Sequence, residues 1–164
     1  FPGWMFNDWD FEDWTVIGRD ENLDVKEFNK IPQSILNIWW RELCKKCSID
    51  DDINESRFNS LFVTNEGYSL LPNCDTSIHA TAAILSSGFG RDEAMNYLKI
   101  AKWKNKVTAY FAYFVAKALT GEDRQNFIND YYGPIISRYN TIWEKHDNTA
   151  SMAHGWSVGV ADLL

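Results

Sequence analysis

The segment Thr108–Leu119 constrains the fold most, because apolar side chains cover almost its whole circumference at helical spacing. It contains Tyr110, Phe111 and Phe114, and Leu119 closes the run. A helix that is apolar on all sides has no face suited to water and must lie between other elements. The sequence therefore predicts that this helix belongs to an interior layer.

The segments that precede it also have helical periodicity. Pro32 suits a first helical turn, and Asp75 is a candidate N-cap for a helix from Thr76 to about Ser87, closed by Gly88. Asp92 can cap a helix that runs to about Trp103. After Pro32 the apolar residues recur at spacings of three and four: Ile35, Leu36, Trp39, Trp40, Leu43 and Cys47.

Glycines and prolines predict most of the remaining boundaries. Asn65-Glu66-Gly67 is a predicted turn in which Gly67 adopts a positive φ, and Gly121 is expected to end the interior helix. Gly133-Pro134 is expected to break or kink the following helix before Ile135–Tyr139. His154–Leu164 is the predicted start of a further helix.

No stretch of the sequence shows a convincing strand pattern. About six or seven helices joined by short loops are expected, and 164 residues are enough for one domain with a sizeable core. The predicted fold class is all-α, built from antiparallel helical hairpins in a single domain that spans residues 1–164.

Composition and charge exclude several partners. The net charge of −7 argues against a nucleic-acid surface, which needs clustered Lys and Arg, and no apolar run is long enough to span a membrane. Cys44, Cys47 and Cys74 form an odd set without a disulfide framework, which favours a reducing, cytoplasmic compartment. Cys44-x-x-Cys47 lacks the partners of a zinc or thioredoxin-like site, so we expect no metal and no cofactor.

The segment Thr141–Trp156 has the residue types of a carbohydrate site. It holds Trp143, Glu144, His154 and Trp156 around a polar loop. Indole faces can stack on the C–H face of a sugar, and a carboxylate among them is partly desolvated, which moves its pKa toward the range of a general base. The alternative is a helix end, a surface loop and another helix start, with both tryptophans in the core.

The N-terminal segment Phe1–Trp14 interleaves aromatic and acidic side chains without a helical stripe. Asp8 and Trp9 lie at its centre. A carboxylate can accept two hydroxyl donors while a ring packs beneath a sugar, so this segment also suits hydroxyl recognition. The alternative is an acidic surface loop pinned by its aromatic rings.

Five motifs in sequence order resemble the catalytic domain of the bacterial α-L-rhamnosidase family, a six-hairpin (α/α)6 barrel. Together they span most of the chain, and their order is more specific than any one of them. They are Trp4-Met5-Phe6-Asn7-Asp8-Trp9, Tyr68–Leu85 with Ser77-Ile78-His79-Ala80, Val107–Leu119, Tyr132-Gly133-Pro134 through Thr141-Ile142-Trp143-Glu144, and Ser151-Met152-Ala153-His154-Gly155-Trp156-Ser157. Ala109 replaces a common proline and Ala153 replaces a cysteine of the family pattern.

The resemblance implies a glycoside hydrolase that inverts the configuration of a terminal α-L-rhamnosyl or similar residue. It makes Glu144 the general base and His154 a ligand of a sugar hydroxyl. Trp9, Trp143 and Trp156 become wall residues, and Asp8 lies near the rim. Inversion implies two carboxyls about 6.5–9.5 Å apart, with water between base and sugar.

In the family, the general acid lies on an Asp-rich loop containing Arg-Asp-Glu, well before the segment that resembles Trp4–Trp9. This sequence begins after that point, so we expect the general acid to be missing from it. Because the first residue is Phe1 and the apolar pattern reaches Leu164, both ends look cut. We therefore expect the C-terminal half of a longer barrel, incomplete as an enzyme in isolation and partnered by the remaining helices. The alternative function is a non-catalytic helical module that binds a sugar or a protein.

Overall fold

The computed structural model describes residues 33–51, 53–91, 93–100, 107–139, 141 and 155–164. Pro32, Asp92 and Trp103, with the helix boundaries predicted there, lie outside these ranges. The described elements are six α-helices and one 3₁₀ helix. In chain order they are α1 Gln33–Cys47, α2 Glu55–Phe62, α3 Ile78–Ser86, α4 Ala94–Ile100, α5 Ala109–Ala118, α6 Gly121–Tyr139 and the 3₁₀ helix Gly155–Leu163.

Helix α5 lies in the interior, as its apolar circumference predicts. Phe111 is fully buried, whereas Tyr110 and Phe114 are half-buried at the edge of the same cluster. The Thr108 hydroxyl accepts a hydrogen bond from the Phe111 N–H at 3.2 Å and so caps the first turn. The helix packs against α3, α6 and the 3₁₀ helix, which makes it the common support of the C-terminal half.

Helix α3 begins later than predicted, and its N-cap is Ser77 rather than Asp75. The Ser77 hydroxyl accepts the Ala80 N–H at 3.3 Å, while Asp75 is exposed two residues earlier. The backbone is still extended just before the helix, where Thr76 pairs with Ser69 in an isolated bridge. The first backbone N–H groups that need a capping acceptor therefore come after Ser77. The predicted closure at Gly88 is confirmed, with φ of +73°.

The apolar residues of α1 do not all face the core. Ile35 and Ile38 are fully buried, whereas Trp40 and Leu43 each expose about half of their surface. Helix α1 packs against α3, and a helix with neighbours on one side buries one stripe. The predicted apolar face is therefore wider than the face that α1 buries among the described residues.

Gly121 starts helix α6, so the prediction that it ends α5 is wrong. Helix α5 ends at Ala118, and Gly121, the first residue of α6, has φ of +53°, a conformation open to glycine. Arg124 in the first turns of α6 closes α5, because its Nε donates to the carbonyls of Ala116 at 3.0 Å and Leu119 at 2.8 Å.

Helix α6 runs without interruption through Pro134, so of the break or kink predicted at Gly133-Pro134 the break does not occur. Proline removes one backbone hydrogen bond of the helix. Pro134 is exposed, where water can satisfy the carbonyl left without that bond, and buried Tyr131, Tyr132 and Ile135 hold the helix on either side. The favourable packing of these three residues outweighs the local cost.

The turn at residues 65–67 is confirmed, but Gly67 does not have a positive φ. Glycine is needed there for space. A Cβ at position 67 would lie 2.6 Å from the Thr81 hydroxyl oxygen. That hydroxyl accepts from the Tyr68 N–H at 3.0 Å and holds the loop against α3.

The described ranges contain helices and two isolated β-bridges but no strand. The all-α fold class is thus confirmed. The core consists of one large cluster around α3, α5 and α6 and a second around Phe58, Tyr68 and Phe89. No helix within the described ranges is long and apolar enough to cross a bilayer.

Candidate functional site

Most of the predicted site residues lie outside the described ranges. These are Asp8, Trp9, Trp143, Glu144 and His154. The backbone of Trp156 lies at the start of the 3₁₀ helix Gly155–Leu163. The described part of the site is therefore the scaffold on either side of the segment that contains Glu144 and His154.

Helix α6 leads the chain toward Glu144 and is attached to the start of α5. The Tyr132 hydroxyl donates to the Ala109 carbonyl at 2.6 Å, and the Tyr131 hydroxyl donates to the Val107 carbonyl at 2.8 Å. All four residues are buried. Burial raises the pKa of Tyr132 well above its usual value, because the phenolate would lose its hydration. The phenol therefore stays protonated and keeps its role as donor.

The 3₁₀ helix brings the chain back to the same helix after His154. Gly159 lies so close to the Tyr113 ring that an added Cβ would be 3.5 Å from the ring carbon Cδ2. Val160 is buried in the main core. Tyr113 and Ala109, the contact of Tyr132, are four residues apart and so lie one turn apart on α5. Tyr132 of α6 and Gly159 of the 3₁₀ helix thus contact α5 at residues one turn apart.

His79 is a packing residue between α3 and α5. Its side chain is fully buried, and its ring centroid lies 4.5 Å from that of Phe111. A side chain with no exposed surface cannot reach a substrate in this structure. Its burial against Phe111 therefore makes His79 a structural residue.

Three segments with the rhamnosidase-like motifs meet in the fold. They are α3, which contains His79-Ala80, then α5, and then the 3₁₀ helix that begins at Gly155. Helix α5 packs against both others. Segments spread over the second half of the chain therefore form one packed unit.

A surface cleft of about 510 Å³ lies between α4 and α6. Its described floor is apolar and its rim polar, with an ion pair of 2.7 Å between Lys99 Nζ and Asp123 Oδ2. Sequence reasoning did not identify this cleft. The signal was present, since Asp123, Asn126 and Asp130 recur at helical spacing along one side of α6.

Cys44, Cys47 and Cys74 form no disulfide bond. Among the described residues, no three or more His, Cys, Asp or Glu side chains come together as a metal site.

Comparison of the chain with protein-family models, with curated proteins and with solved structures gives no match.

Proposed function

We propose that this chain provides the general base and sugar-contacting residues of an inverting glycoside hydrolase that acts on terminal α-L-rhamnosyl or similar residues. The supporting observation is that Tyr132, before Glu144 in the chain, and Gly159, after His154, contact α5 at residues one turn apart, Ala109 and Tyr113. This arrangement favours the proposal because the described elements before and after the proposed catalytic segment pack on the same helix.

In this proposal Glu144 accepts a proton from water as the water oxygen attacks the anomeric carbon. The glycosidic C–O bond breaks on the opposite face, so the configuration inverts. His154 hydrogen-bonds a sugar hydroxyl, while Trp9, Trp143 and Trp156 form the walls and Asp8 lies near the rim. No cofactor is required for these steps.

The leaving oxygen needs a proton from a general acid. In the family that the sequence resembles, this acid lies on a loop that precedes the segment similar to Trp4–Trp9. The proposed partner is therefore a protein region that carries such a loop and completes a six-hairpin (α/α)6 barrel. The other proposed partner is the rhamnoside-type carbohydrate itself.

The product's anomeric configuration tests the proposed reaction. The chain, joined to or mixed with a region carrying the acid loop, is incubated with an aryl α-L-rhamnoside while proton NMR follows the anomeric signals. The proposal requires β-L-rhamnose to appear first and to mutarotate later. An initial α product, or no hydrolysis by any such complete protein, would reject it.

A further inference from the structure

We draw no further inference here: the strongest candidate, the apolar surface patch that Trp40 and Leu43 form on the exposed side of α1, carries none because nothing in the described part of the structure shows what covers it.

Discussion

The Tyr132 hydroxyl donates to the Ala109 carbonyl at 2.6 Å, and this bond ties the middle of α6 to the first residue of α5. Both residues are buried. The bond therefore helps to fix the position of α6 against α5.

Tyr132→Phe should lower the free energy of unfolding by about 1 kcal/mol, since it removes one buried hydrogen bond and keeps the ring. Urea unfolding followed by circular dichroism measures the change. Tyr113→Phe is the matched control, because that ring is only half-buried and its loss of a hydroxyl should cost less. Equal losses of unfolding free energy in the two variants would show that the Tyr132–Ala109 hydrogen bond does not contribute to stability.

Alkaline pH should destabilise the wild-type chain through Tyr132. Burial raises the pKa of this phenol in the folded state, while in the unfolded chain it ionises near pH 10. Its contribution to stability is therefore complete below about pH 10 and is lost above it, at up to about 1.4 kcal/mol per pH unit. Urea unfolding between pH 9 and pH 11 (about one unit on each side of the unfolded pKa) should show the Tyr132→Phe deficit shrinking as pH rises. A difference in unfolding free energy between the wild type and Tyr132→Phe that stays constant over this pH range would contradict the raised pKa of Tyr132.

Gly67→Ala should destabilise the chain, because the new Cβ would lie 2.6 Å from the Thr81 hydroxyl oxygen. Relief of this contact must move α3 or the hydrogen-bonded loop, at a cost of about 1–3 kcal/mol. Gly133→Ala is the opposite control, since its Cβ meets nothing within 4 Å and lies inside helix α6. It should stabilise by about 0.5–1 kcal/mol. Thermal melts compare the two, and a Gly67→Ala chain as stable as Gly133→Ala would refute the packing argument.

The sequence was sufficient to predict the helical class and the interior position of α5, because periodicity and an apolar circumference are local signals. It was insufficient at Gly67, Ser77, Gly121 and Pro134. Each of those depends on the tertiary structure around it. The Thr81 hydroxyl leaves no room for a Cβ at Gly67, and the β-bridge keeps the chain extended before Ser77. Gly121 adopts a positive φ where α6 begins, and buried tyrosines hold α6 in place on the N-terminal side of Pro134.

The candidate site, too, was predicted from the sequence only in part. The residue types around Glu144 and His154 suggest sugar chemistry from sequence alone. Tyr132, which precedes them, and Gly159, which follows them, contact Ala109 and Tyr113 on one turn of α5. No local sequence pattern contains this tertiary relation. The α4–α6 cleft was missed because its polar rim on α6 looks like an ordinary solvated helix face until α4 is placed beside it.

Glu144→Gln should nearly abolish hydrolysis of an activated aryl α-L-rhamnoside by the complete protein. Glutamine keeps the size and hydrogen-bonding reach of glutamate but cannot take a proton from water. General-base assistance is worth about 10²–10⁴-fold, and the loss should appear in kcat more than in KM. An activated leaving group should rescue an acid variant but not this one. Wild-type kcat with a raised KM would make Glu144 a binding residue and Asp8 the next candidate for the base.

The most direct measurement of the central claim is whether L-rhamnose reaches the predicted tryptophan walls. Titration of the 164-residue chain, followed by the indole N–H signals in NMR, uses Trp→Phe variants for assignment and exposed Trp40 as the internal control. The proposed function predicts saturable shifts of Trp9, Trp143 and Trp156 together, weakened by His154→Ala and unaffected by an Asn126→Ala, Asn129→Ala double variant. Shifts confined to Trp40, or no saturable shift of these three indoles, would contradict the proposed function.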